Sequence, residues 1–160
     1  MKVKLTEQER SAIAELCSAG NVHRGNKRYV DAVAMYWKAW AVLPEPKYET
    51  RTATWILGAI GDVHFMAGEY SAGRDALLRA MRCPGGINNA LLQLRLGQCL
   101  YELGAKEEAG QAFVAAYAAG GAERFAQADP KYLALLTPEA AAPGSKRTAS
   151  QRSWAFWKRA

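Results

Sequence analysis

Small, large and apolar positions recur along the chain with a long period. An apolar residue followed by glycine appears at Ala19-Gly20, Ile60-Gly61 and Leu96-Gly97. Twelve residues after each of these glycines stands a second small residue, Ala32, Gly73 or Ala109. Four further on comes a large one, Tyr36, Leu77 or Phe113, and three after that a third small one, Ala39, Ala80 or Ala116. Each unit closes on Pro44, Gly85 or Gly121. Two small residues at this spacing let a pair of antiparallel helices approach closely. The large residue fills the space beside them, and the terminal Pro or Gly stops the second helix. Turn signals fall between the helices of a pair, at Ala67-Gly68-Glu69 and Leu103-Gly104-Ala105. The pattern predicts helices over about 6–23, 28–43, 50–67, 70–82, 88–103, 106–119 and 129–136, an all-α fold.

The spacing between units is informative. Gly61 to Gly97 is 36 residues and Gly20 to Gly61 is 41, so extra residues lie between the first two units. The segment Glu45-Pro46-Lys47-Tyr48-Glu49-Thr50 reads as that insertion, and repeat proteins carry insertions in loops or lengthened helices. Asp129 and Pro130 suit the N-cap and first position of a last helix, whose Tyr132, Leu133 and Leu136 would cover the open end of the stack. After Thr137 the composition shifts to Pro138, Ala140-Ala141-Ala142, Pro143, Gly144 and Ser145, a linker. A basic segment ending Trp154-Ala155-Phe156-Trp157-Lys158-Arg159 follows it.

The three aligned units resemble the tetratricopeptide repeat family. The resemblance implies an α-solenoid of three helix pairs plus a C-terminal capping helix, since a solenoid needs its open end covered. It divides the chain into a repeat domain at 1–137, with repeats near 13–46, 54–87 and 90–123 and the cap at 127–136, and a basic flexible tail at 138–160. The first repeat departs from the pattern, with Cys17 and Asn21 inside its first helix and Lys27 where glycine is usual. In this family the first helix of each pair lines a concave face. Carried over, its exposed positions are Ala14, Cys17, Asn21 and Arg24, then Trp55, Gly58, Asp62, Phe65 and Met66, then Leu91, Leu94, Gln98, Tyr101 and Glu102. With Arg95 beside them, these make a groove of aromatic anchors with a few polar groups, the kind that carries interface energy. The carboxylate clamp that some relatives use for chaperone C-termini is not matched. Cys17, Ala59 and Leu91 stand where Lys, Asn and Lys are required, and only Asn21 and Arg95 agree.

Composition supports helices. Half of the 160 residues are hydrophobic, and alanine is abundant. No apolar run approaches the roughly 20 residues of a membrane span. The polar stretch Met1–Arg10 has no signal-peptide core, so a cytoplasmic protein is expected. Cys17, Cys83 and Cys99 show no metal-ligand spacing and read as reduced buried thiols; no cofactor or metal is expected. The net charge of +6 lies mostly in the tail, where Lys146, Arg147, Arg152, Lys158 and Arg159 face only Glu139. The rest is nearly neutral, which disfavours a nucleic-acid partner. There is no phosphate loop, nucleophile elbow or zinc-protease motif. His23 and His64 hold equivalent repeat positions and read as packing residues, and Glu107 and Glu108 suit the start of a helix. A binding protein, not an enzyme, is expected.

A closer resemblance rests on five stretches. These are Ala34-Met35-Tyr36-Trp37-Lys38-Ala39-Trp40-Ala41-Val42-Leu43-Pro44-Glu45-Pro46, Trp55-Ile56-Leu57-Gly58-Ala59-Ile60-Gly61-Asp62, Cys83-Pro84-Gly85-Gly86, Leu94-Arg95-Leu96-Gly97-Gln98-Cys99 and Asp129-Pro130-Lys131-Tyr132. They are similar to small bacterial tetratricopeptide proteins encoded beside polymorphic or type VI secretion toxins. That resemblance implies an immunity protein that neutralises a cognate toxin. Translocator chaperones of type III secretion are also of this length and repeat number, and they imply a secreted client instead. A general protein-interaction scaffold is the third expectation.

Overall fold

The computed structural model describes residues 3–136; the aromatic-basic tail expected at 138–160 lies outside them. The described residues are helical and contain no strand. Seven α-helices follow in order: α1 Glu7–Gly25, α2 Tyr29–Val42, α3 Arg51–Met66, α4 Tyr70–Met81, α5 Ala90–Glu102, α6 Lys106–Gly120 and α7 Pro130–Leu133. The first six form antiparallel pairs, α1 with α2, α3 with α4 and α5 with α6. Successive pairs meet through α2 on α3 and α4 on α5.

The small-to-large spacing is realised as direct contact. A Cβ built on Gly20 would lie 2.6 Å from the Tyr36 ring, one on Gly61 2.5 Å from Leu77 Cγ, and one on Gly97 2.5 Å from the Phe113 ring. Tyr36, Leu77 and Phe113 are all completely buried. Each therefore occupies the volume that a side chain on the facing helix would need. The turns inside the pairs are also alike. Arg28, Glu69 and Ala105 donate backbone N–H bonds to the carbonyls of His23, His64 and Leu100, the Schellman arrangement that ends a helix on a left-handed residue. The left-handed residues are Lys27 (φ 59°), Gly68 (φ 77°) and Gly104 (φ 84°). Lys27 thus adopts the glycine conformation in the first pair, at the steric cost that a Cβ incurs there.

The helix starts are set by local chemistry. Thr6 and Glu9 form a reciprocal capping box on α1. Thr50 caps α3, and Asn89 accepts from the N–H groups of Leu91 and Leu92 at the start of α5. The expected insertion is a single 3-10 turn, Lys47–Glu49, preceded by a cis Glu45–Pro46 bond. Lys47 Nζ donates to the carbonyls of Trp40 and Ala41 and so closes the end of α2.

The C-terminal end differs from expectation. The last helix starts where expected but is only Pro130–Leu133, since turns replace its remaining residues, and a second 3-10 turn, Ala122–Phe125, absent from the expected elements, precedes it. Phe125 and Tyr132 are buried against Phe113, with ring centroids 5.8 and 5.6 Å away. Two rings from two short turns therefore do the covering expected of one longer helix. Leu133 stays exposed.

Candidate binding groove

A groove of about 560 Å³ opens between α3 and α5, inside the range typical of ligand sites. Its floor lies where Gly58 of α3 faces Leu92 of α5. Gly58 has no side chain, and a Cβ there would lie 2.6 Å from Leu92. Ala59, Leu92 and Leu94 complete the apolar base. Trp55 and Leu91 stand over it, about half exposed at 48% and 56%. The Trp55 ring meets Tyr36 edge to face at 6.0 Å, which fixes its orientation.

One rim is the loop from α4 to α5. Thr54 donates to the carbonyl of Pro84 at 2.9 Å, and Gln93 donates to that of Ile87 at 2.7 Å, so α3 and α5 both hold this loop. Gly86 lies directly on the backbone of Ala80 and Met81, where a Cβ has no room. Pro84 and Gly85 are thereby carried to the groove edge beside Arg51 and Asn89.

The other end is polar. Asp62 accepts from Arg24 Nη1 at 3.3 Å and pairs with Arg95 Nη2 at 2.5 Å, so one carboxylate joins the first, second and third helix pairs. Arg95 also donates to Gln98 Oε1 at 2.9 Å, and its guanidinium lies 4.3 Å from the Phe65 ring centroid. A planar guanidinium shared between carboxylate, amide and aromatic face is held in one orientation.

Six of the eleven expected residues therefore converge here: Arg24, Trp55, Asp62, Leu91, Arg95 and Gln98. Five do not line this groove. Asn21 is exposed and accepts the Tyr36 hydroxyl at 2.7 Å. Phe65 is covered by Arg95 and packs on Tyr70, and Met66 is exposed beyond the groove end. Tyr101 and Glu102 belong to the C-terminal cap. Tyr101 packs on Tyr132 at 5.3 Å, and Glu102 accepts from Tyr132 Oη and pairs with Lys131, both at 2.6 Å. The Glu102 carboxyl is held below the ordinary range by these bonds, from Lys131 first and then Tyr132. Among the other positions expected on this face, Gly58 and Leu94 form part of the groove floor with little exposed surface of their own, whereas Cys17 is buried in the core.

Arg51, Thr54, Pro84, Gly85 and Asn89 line the groove without having been expected. Repeat periodicity places residues on helix faces, whereas these sit at helix starts and in a connection. The one available signal was Cys83-Pro84-Gly85-Gly86, a rigid turn at the end of a repeat.

His23 Nδ1 is buried and has no hydrogen-bond partner among the described residues, and His64 Nδ1 lies 2.5 Å from Glu69 Oε2 across its turn. Among the described residues no group of three or more His, Cys, Asp or Glu is placed to hold a metal. No described helix is long and apolar enough to cross a membrane. No model of a known protein family matches the chain, and no curated protein matches it.

Proposed function

We propose that the chain is a tetratricopeptide-type solenoid that binds another protein in the α3–α5 groove, and that it acts as an immunity protein neutralising a cognate bacterial toxin. The observation that carries the binding role is the exposed pair Trp55 and Leu91 above an apolar floor, beside the ordered Arg24–Asp62–Arg95 network. Aromatic anchors in a preformed recess are the usual source of interface energy. The repeat assignment is supported by the three Gly-to-large contacts and the three matching turns. The toxin as partner is supported by the five stretches similar to toxin-associated repeat proteins. Binding alone, without catalysis, accounts for the groove residues: Arg24, Asp62 and Arg95 spend their charges on one another and on holding the helices, and Arg51 is left for a partner.

The test is co-expression with the toxin encoded by the neighbouring gene. Trp55→Ala combined with Leu91→Ala removes the two exposed anchors and leaves the ion network intact. The double variant is expected to fold, as read by circular dichroism, and to lose protection. A chain ending at Thr137 is expected to protect. Full protection by the folded double variant would place the contact elsewhere and refute the groove as the binding surface.

A further inference from the structure

The charge in the groove says what kind of segment it takes. Arg24, Arg51 and Arg95 line it against a single carboxylate, Asp62. Both Asp62 oxygens are occupied by Arg24 and Arg95. Arg51 is exposed and makes no ion pair among the described residues. It is also the first residue of α3, a helix with no acidic residue in its first turn, where a cation opposes the helix dipole. The excess of two positive charges over residues 1–137 equals the excess in this groove. The lining therefore carries a net positive charge in the same recess that exposes Trp55 and Leu91.

The length follows from α3. Arg51 and Asp62 are eleven residues apart on one helix, or roughly 16 Å along its axis at about 1.5 Å per residue. An extended chain covers that span in about five residues at roughly 3.3 Å each.

We infer that the groove holds an extended acidic segment of the partner protein, about five residues long. One of its carboxylates pairs with Arg51, and an apolar side chain next to it lies against Trp55 and Leu91. This rests on the groove being the binding surface. A nucleic acid fits less well, since one unpaired cation and an apolar floor provide little for a run of phosphates. The chain's own tail carries five basic residues against one acidic and is repelled.

The probe is a fluorescein-labelled peptide of alternating glutamate and leucine, acetylated and amidated so that no chain terminus is charged, titrated with the full chain and read by anisotropy. The same peptide with lysine for glutamate, and a single-stranded DNA oligonucleotide of equal charge, are run beside it. The acidic peptide is expected to bind. Its affinity should fall at least about tenfold in Arg51→Glu, fall in Trp55→Ala with Leu91→Ala, and stay unchanged in Lys38→Glu, an equal charge reversal outside the groove. Absence of binding, equal binding of the lysine peptide, preference for the DNA, or indifference to Arg51→Glu would each overturn the inference. The cognate toxin separates this from failure of the groove itself. Capture that is lost in the Trp55/Leu91 variant but survives Arg51→Glu keeps the groove and rejects the acidic segment. Capture that survives both rejects the groove.

Discussion

Gly97 and Gly110 are both glycines inside helices, and replacing each by alanine should have different effects. Alanine is favoured over glycine in a helix interior by about 1 kcal/mol at either position. Nothing lies within 4 Å of a Cβ on Gly110, so Gly110→Ala should keep most of that gain. A Cβ on Gly97 would sit 2.5 Å from Phe113 Cε1 and 2.6 Å from Cδ1. Ordinary carbon contacts are about 3.5–4.0 Å, so the ring must retreat by about 1 Å. It has little room to do so, being completely buried with Phe125 and Tyr132 at 5.8 and 5.6 Å. Overpacking of this kind costs about 1–3 kcal/mol, which cancels or exceeds the helix gain. The difference between the two variants removes the intrinsic preference and leaves the packing penalty alone. At roughly 2–8 °C per kcal/mol, it is resolvable by thermal melts followed in the far ultraviolet. Gly97→Leu should melt lower still, and Gly97→Ala with Phe113→Leu should recover part of the loss. If Gly97→Ala melts as high as Gly110→Ala, the close contact between α5 and α6 is not where the repeat pattern puts it.

The Glu102 carboxyl is lowered in the folded chain, so its bonds to Lys131 and Tyr132 stabilise above its unfolded value near 4.5 and are lost as pH falls through the lower folded value. The melting deficit of Glu102→Gln should accordingly shrink between about pH 6 and about pH 3, and a constant deficit would refute the pairing. Tyr132→Phe should destabilise by about 1.5 kcal/mol in chemical denaturation at neutral pH, the size of a hydrogen bond to a charged group. Burial pushes the Cys83 and Cys99 thiols up to about 11 and about 12. Neither should react with a disulfide-exchange reagent in the folded protein at about pH 8, whereas rapid labelling there would contradict their burial.

The helices were legible because their causes are local or strictly periodic. Asp129 with Pro130 marked a start by side-chain chemistry within one turn, and Thr6 with Glu9 and Asn89, not read as caps in advance, do the same for α1 and α5. Gly20, Gly61 and Gly97 could be matched to Tyr36, Leu77 and Phe113 because a hairpin of fixed turn length brings fixed separations together. Even the departure at Lys27 was visible as a mismatch, and the chain adopts the left-handed turn there regardless, with Gly20 facing Tyr36 as in the other pairs.

The groove was legible only in part, for a different reason. Trp55, Asp62, Leu91 and Gln98 lie on helix faces that the period locates, so they could be named in advance. Whether such a face reaches solvent depends on how each pair rotates against the next, which no spacing within a pair encodes. Cys17 shares the periodic position of exposed residues and is buried, while Tyr101 and Glu102 are taken by the C-terminal cap. Arg51 and the Pro84–Gly85 rim enter through helix starts and a connection held by Thr54 and Gln93. The amino-acid sequence by itself determined the helices and their pairing, because those follow from contacts at short, constant separation. Only the tertiary structure decided which side chains face the groove, because Asp62 reaches Arg24 and Arg95 across three pairs at once, and that angle is set by packing over the whole stack.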